Sequence, residues 1–447
     1  MPCRRAMLLP LLTACVALLC AGCIAPAASR RAERGGPAIA RVVSFGGWRR
    51  CVRLDNGLAR VTSVPQVGAR TLEYRLGRYN FLFIARRELG TTLDDRPERT
   101  YRHYGGHFAQ LHPVERWRGV QASYPAALFL GRYQARIPSE AGPVASVELT
   151  AAPDEATGTH LVRRIELFAG STRVRITDTL TNDQLVPQQW GIHDFVQLKG
   201  CPTPSGVLRG SEEADGRIEL YVPLNPKSRH PGGVRALAAD EDPSRGVASQ
   251  WSTARLPGLL ALRYRGRFSK MRVDPKAAWV AFADRSTDHV FVQTCGVAHK
   301  ELLTAGGPVG GHPFIELQCF GPVVRLEPGK STTLTQEWRG ARCPAPVVDV
   351  TDAGVVSSPL TLLRGEGSTW AAGTFGVFHV GAAALVFRGA DGAELRRLDC
   401  GPVHPHRAFA LNRVVELPKG TARVALEIRD THGKPVGHLG EILLDAR

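Results

Sequence analysis

Beyond residue 40 the chain alternates apolar and polar positions with a period of two. The runs 51–76 (CVRLDNGLARVTSVPQVGARTLEYRL), 161–183 (LVRRIELFAGSTRVRITDTLTND) and 289–296 (HVFVQTCG) show the pattern most clearly. Successive side chains of a strand point to opposite faces, so this period predicts half-buried β-strands. Asn-Gly in LDNG and Gly-Ser in LFAGS interrupt the runs where hairpin turns are expected. Helical periodicity is nearly absent, and no solenoid or propeller repeat stands out. The chain therefore reads as all-β.

Two stretches depart from this pattern. The first 23 residues join a short basic start (MPCRR) to an apolar segment too short and too Pro-interrupted for a good membrane span. Residues 339–354 (RGARCPAPVVDVTDAG) read as a link after a finished strand. They divide a large body, 41–345, from a second strand-and-turn unit, 348–447, whose length suits a small β-sandwich. Residues 24–40 read as a flexible tether.

Two strands carry candidate chemistry. In 188–198 (QQWGIHDFVQL), Trp190, Ile192, Val196 and Leu198 share a core-directed face with Asp194, which calls for a buried partner such as an arginine. His193, Phe195 and Gln197 share the other face with Gly191. In 312–320 (HPFIELQCF), Ile315, Leu317 and Cys319 alternate onto one side, and Phe314, Glu316, Gln318 and Phe320 onto the other. Rings suit the C–H face of a pyranose, and amides and a carboxylate suit its hydroxyls. A solvent-facing strand also carries Glu and Gln, but exposed faces seldom add Phe.

In order, these motifs resemble the aldose 1-epimerase (galactose mutarotase) superfamily, and an uncharacterised bacterial mutarotase-like family most of all. Ile192-His193-Asp194-Phe195-Val196-Gln197-Leu198 is similar to that superfamily's Asn-His-x-Tyr-Phe-Asn-Leu. Glu316, Gln318 and the turn Leu326-Glu327-Pro328-Gly329 resemble its late strand. The stretch 54–83 resembles its opening strands. The resemblance spans most of 50–340. It implies a galactose mutarotase-like β-supersandwich with a concave sugar-binding face, followed by the small C-terminal β-sandwich. It further implies Glu316 as general base, His193 as general acid, and Arg70, Phe195, Gln197, Phe314 and Gln318 as substrate contacts. The family's early His-Gly-Gly has no clear counterpart; in 101–117 (YRHYGGHFAQLHPVERW) His107, just after Gly105-Gly106, is the chosen site residue and His112 the runner-up. Ile192 and Phe195 replace the family's Asn and Tyr, which favours sugar recognition over epimerase activity. A non-catalytic carbohydrate-binding or structural envelope protein is the alternative.

The opening segment ends in Cys-Ala-Gly-Cys and resembles a bacterial lipoprotein signal, which implies lipid on Cys23 and, with Ile24 next, the periplasmic side of the outer membrane. An ordinary secretory peptide cut near Ala21 or Ala28 is the other reading. The formal charge of +16 is carried by arginine, since eight of the 57 basic residues are lysine, and the arginines are scattered. Scattered charge on an exported chain argues against nucleic acid and leaves carbohydrate as the expected partner. Six cysteines remain after the signal (Cys51, Cys201, Cys295, Cys319, Cys343, Cys400), and they allow up to three bridges or buried thiols. No Cys/His spacing suits zinc, the offset of five between His107 and His112 fits no single strand face, and no metal or cofactor is expected.

Overall fold

The structure, a computed structural model, describes residues 35–95, 102–118, 126–201, 216–237, 250–297, 300–305, 313–365 and 368–444. The signal-like segment, Cys23 and residues 24–34 lie outside these. The end of the expected tether belongs to the fold: Ala38–Phe45 is a strand paired with Trp48–Asp55, and Ala38 and Ala40 are buried. Most of the other described residues are strand; the described α-helices are short, Val114–Arg118 and Ala126–Phe129, and single 3-10 turns occur at Arg86–Glu88, Leu93–Asp95 and Pro231–Gly233.

Two large antiparallel sheets form the body. The first runs through Ser269–Val273, Lys300–Ala305, Phe314–Phe320, Gln188–Lys199, His107–His112, Arg70–Leu76, Ala59–Val64, Trp48–Asp55 and Ala38–Phe45. The second runs through Ile218–Pro223, Trp279–Asp284, His289–Cys295, Ser331–Arg342, Val174–Asn182, Thr159–Phe168 and Val144–Thr150. Between them lies one apolar core that includes Val61, Tyr74, Ile176, Val196, Leu317 and Trp338. Both expected hairpins are present. At LDNG, Gly57 takes φ 86°, and the side-chain Oδ1 of Asn56 accepts the backbone amides of Leu58 and Ala59. Asn56 Nδ2 in turn donates to the carbonyls of Phe168 and Ser171, which ties this turn to the LFAGS turn, where Gly170 has φ 66°.

The second unit packs the sheet Asp349–Val350, Gly354–Gly365, Ser368–Val377, Phe409–Val415 against Gly381–Arg388, Glu394–Val403, Arg423–Asp430, Pro435–Leu443. Its own core contains Phe375, Leu385, Phe387, Leu426 and Ile428. A further apolar cluster joins the two units: Tyr221, Trp279, Val290 and Val292 of the second large sheet meet Val347, Val355 and Phe378. The loop that carries His404 and His406 takes part in this junction. His406 is half-buried, and its Nε2 lies 2.9 Å from the Leu58 carbonyl, which it meets as a donor. All six cysteines are free and buried.

Candidate functional site

The strand Gln188–Lys199 lies at the centre of the first sheet, with His107–His112 on one side and Phe314–Phe320 on the other. Its register sets His193 opposite Gln110 and Phe320, Phe195 opposite Phe108 and Gln318, and Gln197 opposite Glu316. Directly opposed residues share a face. Ile192, Val196 and Leu198 lie in the core between the sheets, so His193, Phe195 and Gln197 face outward together with Glu316 and Gln318. The two strands singled out in the sequence are thus hydrogen-bonded neighbours with their polar-aromatic sides aligned.

This outward face is a packed array rather than open surface: His193, Phe195, Gln197, Glu316 and Gln318 are each between 2 and 8% exposed. An aromatic path crosses it. The Phe320 ring stacks on His193 at 3.8 Å, His193 meets Phe195 at 3.9 Å, and Phe195 lies parallel to Phe108 at 4.8 Å. The Arg70 guanidinium sits 3.9 Å from the Phe108 ring centre, a cation–π contact, while its Nη1 donates to the Gly105 carbonyl at 2.9 Å. A bulge in the pairing of Ala59–Val64 with Arg70–Leu76 resets the alternation just after Arg70. Phe314 ends the array, stacked on Phe83 at 5.2 Å and tilted against His103 at 4.9 Å.

Beside the rings, one outward position further along the strands, is a polar centre. The Glu316 carboxylate accepts one hydrogen bond on each oxygen, from Gln197 Nε2 at 2.6 Å and Gln318 Nε2 at 2.5 Å. Burial raises the pKa of Glu316, and the two amides, with the more distant charges of Lys270 and Arg70, oppose that rise. One strand further out, Glu301 stands opposite Gln318 and is held by Lys270 and by Arg272, whose Nη2 lies 2.6 Å away. Phe108, Gln110, Lys270, Arg272 and Glu301 were missed in the sequence. For the first two, alternation within HFAQLH, which puts Phe108, Gln110 and His112 on one side, was an available signal.

His107 is not part of this face. It is fully buried between the sheets, with Nε2 2.6 Å from Asp194 Oδ2, Arg163 Nη2 2.8 Å from Nδ1, and Gln336 Nε2 3.0 Å from Nε2. The cause lies just upstream. Gly105 and Gly106 both have positive φ (87° and 71°), and a Cβ on either would meet a backbone oxygen, Phe83 O at 2.4 Å or Thr71 O at 2.3 Å. The pair wedges between neighbouring strands and sets the phase of the strand that follows, sending His107 inward. Asp194 is indeed core-directed, but its direct partner is His107; Arg163 instead donates to Asp178 at 2.8 Å. Burial lowers the pKa of His107 and raises that of Asp178. His107, Asp178 and Asp194 bring ligand-type atoms within 4.8 Å of one another, and the Arg163 guanidinium supplies the cation among them.

His112, the runner-up, is the histidine that joins the site. Its ring lies 6.1 Å from His193 and 5.5 Å from Phe320, and Nε2 meets the Gly321 carbonyl at 2.8 Å. It stands opposite Gly191, where a Cβ would fall 2.3 Å from His112 Nε2, so the glycine in WGIHDF makes room for the second imidazole.

His193 and the partner position of Glu316 are four residues apart along one strand, about 13 Å at roughly 3.3 Å per residue. Phe195 and Gln318 fill the row between. The site offers a donor–acceptor imidazole pair at one end, a buried acid clasped by amides at the other, and ring surface in between.

No family model matches the chain, and no curated protein matches it. Among solved structures, it is similar to a galactose mutarotase-like protein from Clostridium acetobutylicum (11% identity, TM-score 0.45, covering 68% of this chain and 99% of that one). It is also similar to a candidate aldose 1-epimerase from Klebsiella pneumoniae (12% identity, TM-score 0.46, 67% and 82% covered). A third likeness is to the Slr1438 protein from Synechocystis sp. PCC 6803 (15% identity, TM-score 0.43, 68% and 99% covered).

Proposed function

We propose that the outward face of the first sheet binds a saccharide. The observation that carries this reading is the Glu316 carboxylate held between Gln197 and Gln318, in one face with the Phe320–His193–Phe195–Phe108 rings. Stacked rings favour the apolar side of a pyranose, and the acid–amide cluster and His112–His193 pair favour its hydroxyls. Turnover at the anomeric centre is the second reading, because His193 and Glu316 share this face. In it Glu316 accepts the proton of the anomeric hydroxyl while His193 donates one to the ring oxygen. The separation of their rows makes recognition the primary reading, since binding needs no approach of the two groups across Phe195.

Calorimetric titration of a panel of neutral and acidic sugars tests the proposal, paired with NMR measurement of anomer interconversion. Saturable binding that weakens about tenfold or more in Glu316→Gln and Phe195→Ala is expected from loss of a charged hydrogen-bond acceptor or a stacking ring. Affinities unchanged in both variants would sink the reading. Interconversion accelerated by wild type and not by His193→Ala would establish turnover; equal rates would leave recognition alone. We also propose export and lipid attachment at Cys23, supported by the segment MPCRR to CAGC. Radiolabelled palmitate incorporated by wild type and not by Cys23→Ser is the expected result, and equal labelling would refute it.

A further inference from the structure

A second cavity, remote from the face just described, lies where the two units meet. Its volume is about 950 Å³, at the upper end of the roughly 300–1,000 Å³ range of small-molecule sites. It is walled by Phe168, Arg173 and Ser171 from one side, Glu337 and Arg339 from the end of the long strand Ser331–Arg342, and His379, Asp430 and Lys434 from the second unit. The apolar cluster of Trp279, Val290 and Val292 with Val355 and Phe378 holds these walls together, so the cavity exists without a ligand to assemble it.

Its electrostatics are uneven. Arg173, Arg175 and Arg339 all pair with the single carboxylate of Glu337, Arg175 at 3.1 Å and Arg339 at 2.7 Å. Arg339, 92% buried by its 8% exposure, has as its other acidic contact Asp352, at 3.5 Å, from a side chain that is 85% exposed. A contact of that length to a solvated carboxylate compensates a desolvated guanidinium poorly. Arg339 Nε and Arg173 Nε are both buried without a hydrogen-bond partner among the described residues. Buried N–H groups on charged donors are costly to leave unpaired. The imidazole of His379 registers the same field: burial, then Arg339 and Arg173, push its pKa down to about 4, against the opposing pull of Asp430 and Asp352.

We propose that this junction cavity is a binding site for an oxyanion group, a carboxylate or a phosphate, received by the guanidinium groups of Arg173 and Arg339. An oxyanion is the group that fills two guanidinium N–H positions at once, and Arg is the side chain whose fork matches it. Asp352 is the ligand's competitor for Arg339. The remaining walls, Ser171, Asp430 and His432, offer hydrogen bonds to whatever carries the anion. The proposal stands apart from the saccharide face, and neither falls with the other.

The test uses the full mature chain at low ionic strength in a chloride buffer, with inorganic phosphate and with acetate as separate probes, followed by calorimetry and by ³¹P line broadening for phosphate. Saturable binding of at least one probe at millimolar concentration is expected, and which one binds more tightly identifies the source of the oxyanion. Arg173→Gln, at a partly exposed arginine, should weaken binding about tenfold or more, the loss of one charge-assisted hydrogen bond. Asp352→Asn, at an exposed position that endangers no core, should tighten it about threefold by removing a competing surface ion pair. Absence of binding by both probes overturns the proposal. So does binding that neither substitution changes.

Discussion

Replacing His107 by alanine separates the interior of this protein from its candidate site. His107 is fully buried and makes three polar contacts, to Asp194, Arg163 and Gln336, at 2.6, 2.8 and 3.0 Å. The substitution deletes all three and leaves Asp194, itself fully buried, without its hydrogen-bond donor. Breaking a buried pair from one side costs about 3–5 kcal/mol. His107 Nε2 cannot donate to Asp194 and accept from Gln336 at once, so counting about 1.5 kcal/mol for each of the two bonds to charged groups, Asp194 and Arg163, gives about 3 kcal/mol. His112→Ala is the control: it removes one hydrogen bond, to the Gly321 carbonyl, from a half-buried ring, worth about 1 kcal/mol. Urea unfolding followed by tryptophan fluorescence reads both, because buried Trp338 lies 4.7 Å from the His107 ring. The same preparations are then titrated with the best-binding sugar. His107→Ala should be much less stable yet retain affinity in its folded fraction, and His112→Ala should be nearly as stable as wild type and bind less tightly. A His107→Ala protein within about 1 kcal/mol of wild type that has lost sugar binding would refute the assignment of His107 to the interior.

Three further outcomes follow from particular contacts. Gly191→Ala places a Cβ 2.3 Å from His112 Nε2 and 2.9 Å from the Pro322 carbonyl oxygen, so the imidazole must swing away and the backbone must give; the urea midpoint should drop, sugar affinity of the folded protein should fall, and an unchanged affinity would remove His112 from the site. Asn56→Ala breaks four hydrogen bonds that join two hairpins, at about 1 kcal/mol each, and should lower stability by about 3–4 kcal/mol in the same urea assay. Acid should destabilise the protein through His289, held at about 3, and His379, held at about 4, chiefly by burial. Both lie below the unfolded value of about 6.5, so their contribution is fully present above that pH and drains away as pH falls toward the folded values. Between pH 6.5 and pH 4.5 the combined loss should be about 3 kcal/mol, allowing for partial exposure of both rings. Asp178 and Glu316, whose pKa values burial raises, act in the opposite sense. A urea midpoint flat over that range, or one equally steep in His289→Gln/His379→Gln, would contradict this account.

What could be read from the chain divides along a physical line. Period-two alternation is local, and it sorted Gln188–Lys199 and Phe314–Phe320 into core and outward faces correctly before either strand had a neighbour. Choosing between His107 and His112 was not local. The two stand on opposite faces of one strand, and only pairing with Gly191 and His193 shows which one joins the site. The glycine pair at 105–106 hid the phase, because two positive φ values reset the strand in a way alternation does not encode. Arg70 reaches the rings through a bulge, another break in alternation. Asp194 looked like an arginine's partner and found a histidine instead, since the second sheet supplies the arginine one contact further away. The junction arginines come from the ends of two strands, Val174–Asn182 and Ser331–Arg342, far apart in the sequence, and the cluster has no signature along the chain.

The apolar contact between the two units changes what the link at 339–354 means for anyone handling the protein. A cut after residue 345 looks safe on the chain, in a Pro-containing stretch between finished strands. It would strip Val347, Val355 and Phe378 from Tyr221, Trp279, Val290 and Val292, leaving a broad oily patch on the larger fragment. Such a fragment should clump or demand detergent, and its misbehaviour would be mistaken for a property of the sugar-facing half. The boundary drawn by sequence is therefore a poor place for scissors.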